Sequence, residues 1–377
     1  MNRYGSPFKN PFIKYQKARL ENLVSDVAEK QDDTGAFKPL GSYLDDFCDS
    51  MCDSWSLDTL CSEVSENSDP DDLMHVADNK YRDKHTVLRW AVKKLLSSPT
   101  ARLLLHEAEK ESWSIMLDSL DGPDFHMDVP QKLVILDNQN LSPSALVRSD
   151  YFKNGLLVTM IRALRDIWQE KRHGAFDERY APEHVLMLER IRAADLDVMS
   201  VLVAWELRAV SHGDVWRHLI GSNDGDIATR FSGYLERDPS CSVFTGKALF
   251  AAFQQWFNSD ARINACDHET LNYLDAVVQD QLEGSYHFGD AQLRAIDIEI
   301  LSCLPDKTAY LQSQGNDILR NPKYAGLNDE LNQAHFMQII YDLKVTLVQD
   351  VPFRDADLAG KIFPDWQFTP ETEDAKS

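Results

Sequence analysis

At 377 residues with 43% hydrophobic content, the chain is long enough for one large domain or two moderate ones and has the apolar fraction of a globular protein. A net charge of -22 excludes nucleic-acid binding as its main business, because phosphate contacts need clustered Lys and Arg. No run of about eighteen apolar residues occurs, so the sequence predicts no membrane span.

The N-terminus, "MNRYGSPFKNPFIKYQKAR", carries five basic residues and no acid. It lacks the apolar stretch of a secretory signal and fits an organelle transit peptide poorly. Charge then reverses: residues 41–80 hold eleven acids against the single Lys80. Residues 1–80 are therefore expected to be a basic, then acidic arm, partly disordered, serving as a solvated connector or as a docking segment for a basic partner. The six cysteines do not make a secreted disulfide scaffold, so a cytoplasmic, reducing setting is expected. "CDSMCDSWSLDTLC" brings Cys48, Cys52 and Cys61 together, but it matches no metal-site spacing, and the surrounding carboxylates oppose thiolate formation.

From Asp83 the pattern becomes helical. Val87, Leu88, Ala91, Val92, Leu95 and Leu96 share one face, Pro99 closes the segment, and "TARLLLHEAEKESW" follows as a second helix. "WSIMLDS" at 113–119 and "KLVILDN" at 132–138 read as two short strands, a candidate hairpin. Beyond Pro143 nearly everything is helical. One helix spans 149–171 and a second spans 182–212, opened by Pro182 and ended by Gly213; within it "VMSVLVAW" is apolar on every face, the mark of an enclosed helix. Further helices are expected at "VWRHLIGS" and "IATRFSGYLER" and near 246–258, 268–283, 290–303 and 328–348. The predicted fold class is mainly α, within α+β, with a short two-strand element. The predicted division is an arm at 1–80, a core domain at 81–285, a helical extension at 286–367 and a disordered tail at 368–377.

Three motifs carry a resemblance: "RALRDIWQ" at 162–169, "RAADLD" at 192–197 and "ALFAAFQQWF" at 248–257. Residues 100 to about 275 resemble bacterial proteins of unknown function that carry a putative metallopeptidase domain with a zincin-like core. Such proteins have a helix of the form HELRHxxQ, a later helix with an EAD-like motif and an aromatic region ending in a WF pair. The resemblance implies two zinc-ligating imidazoles four residues apart, a Glu beside the first as proton acceptor and a third ligand from the later helix. Here Arg162 stands at the first His, Ala163 at the Glu, Asp166 at the second His and Ala193 at the third ligand, with Asp195 retained. Arg stays protonated and cannot ligate, and Ala has no acceptor. Hydrolysis in the HExxH manner is not expected at this helix, and no catalytic residue or cofactor is expected.

Two readings of the helix stay open. In one, a cleft lined by Arg162, Arg165, Asp166, Glu189, Arg192 and Asp195 binds a peptide or protein without cutting it. In the other, "RALRDIWQE" is an ordinary amphipathic helix, with Arg162 and Asp166 forming an exposed i, i+4 ion pair worth a few tenths of a kcal/mol. Two rivals stand beside these: a helical interaction protein acting through residues 41–80, and an active metallohydrolase with zinc relocated to His106, His184 and Glu189. No GxSxG elbow, glycine-rich phosphate loop or CxxC pair is present. The partner and the oligomeric state are not legible.

Overall fold

The computed structural model describes residues 54–64, 83–120, 122, 124–173, 180–237, 246–282, 289, 291–343, 346–348 and 351–353. The basic arm, most of the acidic segment, Cys48, Cys52, Cys241 and the tail lie outside the described residues.

In chain order, β1 (Ser54–Ser56) leads into α1 (Leu57–Ser62), then α2 (Lys84–Leu95) and α3 (Pro99–Lys110). The strands β2 (Ser114–Asp118), β3 (Phe125–Asp128) and β4 (Leu133–Asp137) follow. Next come α4 (Pro143–Arg148), α5 (Asp150–His173), α6 (Pro182–Ala209), α7 (Gly213–Ile220), α8 (Gly225–Arg237), α9 (Lys247–Trp256) and α10 (Asp260–Leu282). The described chain closes with α11 (Ala295–Leu301), α12 (Gly315–Arg320), α13 (Pro322–Ala325), α14 (Glu330–Asp342) and the small pair β5 (Thr346–Val348) and β6 (Val351–Phe353). No helix among the described residues is long and apolar enough to cross a membrane.

Local chemistry sets the helix starts. The Asp83 carboxylate accepts from the Thr86 amide at 2.8 Å, and Ser98 and Ser142 do the same for Ala101 and Ala145 ahead of Pro99 and Pro143. Each satisfies an amide that the first turn leaves without a helical partner. Pro182 opens α6 without a side-chain cap, its missing N–H being one of those orphans.

The sheet differs from the expected two-strand hairpin. "LDGPDFHMDVPQ" contains a strand of its own, β3, which turns the chain back, so β2 and β4 run parallel, with Ser114 opposite Leu133 and Asp118 opposite Asp137. The sheet order is β1-β2-β4-β3, and β1 and β3 pair antiparallel with their neighbours. The sequence hides β3 because four residues interrupted by His126 and Asp128 carry little periodic signal. Ile115, Leu117, Phe125, Met127, Val134 and Leu136 turn toward the helices, while Met116, Leu133 and Ile135 form a small cluster of their own.

The helices enclose α6, which packs against α3, α5, α7, α8, α9 and α10. From Val198 to Ala204 every side chain is buried, as its all-round apolar composition requires. One hydrophobic cluster runs from Leu57 and Leu60 through α6 to Leu301, Tyr310 and Ile339. The core is therefore continuous across the boundary expected at 285, and Leu57 and Leu60 of the expected arm belong to it.

Candidate functional site

The two helices that carry the motifs lie against each other, and charge fills the space between them. On α5, Leu157, Met160, Ile161, Leu164, Ile167 and Trp168 are buried, but Arg165, Asp166 and Gln169 are fully buried too. On α6, Glu189, Arg190, Arg192 and Asp195 are buried among Leu188, Ile191 and Leu196. Charges in such a place persist only when each meets an opposite charge or a hydrogen bond.

Arg165 and Asp195 form the central pair. The guanidinium donates through Nε at 2.6 Å and Nη2 at 3.1 Å to the two oxygens of Asp195, the two-pronged geometry that suits Arg best. Its other protons reach the carbonyls of Cys303 and Leu301, both at 3.0 Å. Asp195 also accepts from the Gln169 amide at 2.6 Å and from the Tyr310 hydroxyl at 2.6 Å. Burial and the Asp195 charge hold the Tyr310 phenol well above its ordinary pKa, so it stays a donor. The Trp168 indole N–H donates to the Cys303 carbonyl at 2.9 Å. This one cluster therefore ties α5, α6 and the chain after α11 together.

Arg162, one turn earlier on α5, reaches a second set of partners. Its Nε donates to Asp197 at 2.8 Å, its Nη2 to Asp224 at 2.6 Å, and its Nη1 lies 3.7 Å from Asp124. Burial opposes the charge on Arg162, but Asp197, Asp224 and Asp124 outweigh it and raise the guanidinium pKa. Burial, with the Asp197 charge beside it, raises Asp224 against the pull of Arg162 and Arg262. The Trp256 indole N–H donates to the other Asp197 oxygen at 2.8 Å, which gives the aromatic segment of α9 a place in this network. Burial and then the Arg162 charge lower the pKa of His218, so its neutral form is favoured.

The third set centres on Arg192. It donates to Asp166 at 2.9 Å and lies 3.7 Å from Glu189. Glu170 stands one turn beyond Asp166 on α5; burial and then the Asp166 charge raise its pKa, against the pull of Arg192 and Lys132. A fourth buried pair lies on another side of α6: Arg190 holds both oxygens of Asp267, at 2.5 and 2.7 Å, and donates to the Tyr324 carbonyl at 3.0 Å.

The structure places Arg162, Arg165, Asp166, Glu189, Arg192 and Asp195 in one packed interface between α5 and α6, not along an open cleft. Arg165, Asp166, Arg192 and Asp195 are each 0% exposed. The exposed Arg162–Asp166 pair is not formed either: Arg162 turns to Asp197 and Asp224, and Asp166 to Arg192. Ala163 and Ala193 are buried in the apolar core. Of the three alternative metal residues, His106 is exposed beside Glu109, His184 is half-buried near the start of α6, and Glu189 is buried beside Arg192. Among the described residues no three His, Cys, Asp or Glu are arranged to hold a metal ion. The donor set does not fit zinc: the first position offers a guanidinium, the next an alanine, and the carboxylate of Asp166 is taken by Arg192.

Sequence reasoning missed Asp197, Asp224, Tyr310, Gln169 and the Arg190–Asp267 pair as members of these networks. One signal was available. The apolar run Val198–Ala204 shows that α6 is enclosed, so charges at 189, 190, 192 and 195 on the same helix demand buried partners.

Residues 144–310 match the putative metallopeptidase family DUF6782. The match opens within a residue of α4 and ends on Tyr310, the donor to Asp195. It thus takes in the central pair with all its partners, along with Asp197, Asp224 and Trp256 of the Arg162 network, whereas Asp124 and the sheet lie before it. Comparison with curated proteins and with solved structures gives no match.

Proposed function

We propose that this metallopeptidase-like chain is catalytically silent and works by binding a peptide or protein. The observation that carries the reading is Arg162. At the position where an HExxH helix would offer its first imidazole, a permanent cation stands among Asp197, Asp224 and Asp124. It satisfies those carboxylates without leaving a coordination position for water, and Ala163 offers no base to activate one. The helix pair that would perform hydrolysis is instead a structural joint, so the working surface lies elsewhere on the molecule. The free thiols of Cys61, Cys266 and Cys303 support the cytoplasm as its compartment.

The test is the metal content of the purified, untagged chain, prepared without chelator and then dialysed against zinc, alongside hydrolysis of an unstructured protein substrate. Substoichiometric metal and no cleavage are expected. Near-stoichiometric zinc with cleavage that a chelator abolishes would overturn the reading.

A further inference from the structure

An open groove of about 450 Å³ lies over α8, bordered by Ile220 of α7 and Gln255 of α9. Asp226, Thr229, Arg230 and Arg237 of α8 line it. Ile220 is 42% exposed there, an apolar contact at one end. At Gly233 an added Cβ would meet nothing within 4 Å, so the groove runs open along the helix backbone.

Arg230 and Arg237 are both exposed, and neither pairs with a carboxylate among the described residues. The buried and half-buried Arg162, Arg165, Arg190, Arg192 and Arg262 each hold at least one Asp. The acid that lines the groove, Asp226, is already held by Arg262 and Gln255. In a chain of net charge -22, two unclaimed guanidinium groups on one face are a local positive site on a negative body.

Their spacing selects a ligand shape. Seven residues apart, they lie on the same helical face about 10.5 Å along its axis. A peptide in the polyproline II conformation, with three residues per turn, places side chains three apart on one face at about 9 Å. We propose that this groove binds an acidic peptide of a partner protein in that conformation, with carboxylates three residues apart bridging Arg230 and Arg237. The inference rests on the binding reading above and gives it a site and a partner class. Two-pronged Arg–carboxylate contacts supply orientation, and Ile220 takes an apolar side chain next to the acid pair. Exposed pairs of this kind bind weakly, as suits a transient contact.

A probe with this spacing is at hand: "EVSENSDPDD", the sequence of residues 63–72, has acids at positions 63, 66, 69 and 72. An isotope-labelled peptide of that sequence is titrated with the full chain near physiological salt, where a Debye length of about 8 Å screens distant acids but not contacting charges. Line broadening of the peptide is the readout. The wild-type chain should broaden the probe, and Arg230→Glu with Arg237→Glu should lower its affinity at least tenfold with unchanged thermal melting, since both side chains are exposed. A peptide of the same composition with its acids contiguous should bind several-fold more weakly. No broadening by the wild type, undiminished binding by the double variant or equal binding of the permuted peptide would each overturn the proposal. Binding that emerges only after residues 66–72 are deleted would assign the groove to the chain's own segment and overturn the partner. None of these readouts depends on metal or cleavage, so the groove and the catalytic silence fail separately.

Discussion

Two neighbouring clusters in one helix interface treat buried charge in opposite ways. At Arg165 and Asp195 the charges match one for one, and the carboxylate takes hydrogen bonds from Arg165, Gln169 and Tyr310. At Arg192 the guanidinium faces Asp166 and Glu189, with Glu170 close enough to feel Arg192, Asp166 and Lys132. The first cluster is a lock, in which each group is needed because its partner would otherwise be stranded in a dry interior. In the second, Asp166 and Glu170 repel each other, so losing the Asp166 charge relieves repulsion even as it removes a contact with Arg192. The same helices can therefore be rigid at one point and adjustable a turn away.

The largest expected effect follows from stranding Arg165. Asp195→Asn keeps the shape but removes the charge, and should cost about 3–5 kcal/mol, the range for breaking a buried pair. The urea midpoint should fall accordingly, with the slope unchanged. Asp166→Asn should cost clearly less, because Arg192 keeps Glu189 and Glu170 loses a like charge. Equal losses in the two variants would erase the distinction between the clusters.

Arg162→Met comes next, at about 2–3 kcal/mol, since Arg162 is not fully dry. Without the guanidinium, Asp224 keeps the burial and the Asp197 charge that already raise its pKa and loses the Arg162 charge that opposes them, so its folded pKa rises further. The sign follows from proton uptake. An acid whose folded pKa is raised penalises the fold where it is ionised, and the penalty lifts as pH falls through the folded pKa. The deficit of Arg162→Met against the wild type should thus be greatest near neutral pH and shrink toward pH 5. Thermal melting of both proteins across that range checks it, and a deficit independent of pH would remove Asp197 and Asp224 from the account.

The element order of this molecule was legible because long helices announce themselves through period and boundary residues. Pro182, Gly213 and the Val198–Ala204 run place α6 from sequence alone. The sheet was half legible: β2 and β4 are apolar runs, whereas β3 is four residues with His126 and Asp128 among them, too short for alternation to register. Of the candidate site, the sequence showed the charged residues of α5 and α6 but not the partners that bury them. Periodicity places Arg162, Asp166 and Gln169 on one side of α5 and the apolar residues on the other, and nothing local says that a second helix covers the polar side. That cover comes from Asp195 and Asp197 on α6, Asp224 before α8 and Tyr310 more than a hundred residues further on. Partners at such separations are fixed by tertiary packing, which periodicity does not encode.

The smallest expected effect is also the most specific to the Arg192 cluster. Burial and the Asp166 charge raise the Glu170 pKa against the pull of Arg192 and Lys132, so the fold favours its neutral form. For such a group stability is fully present while it remains protonated in the fold, and it is lost as pH rises above the unfolded pKa and through the folded one. Glu170→Gln supplies a permanently neutral side chain of nearly the same shape. The variant should therefore melt slightly higher than the wild type at neutral pH and equal to it near pH 4, where both side chains are uncharged. The corresponding change at Asp195, where the carboxylate is the acceptor for Arg165, should lower melting at neutral pH. A neutral amide that stabilises one cluster and breaks the other is the sign difference expected where burial and a like charge oppose one carboxylate and a matched guanidinium holds the other. If Glu170→Gln is instead destabilising at neutral pH, its carboxylate is a working partner of Arg192 and the second cluster is as tightly locked as the first.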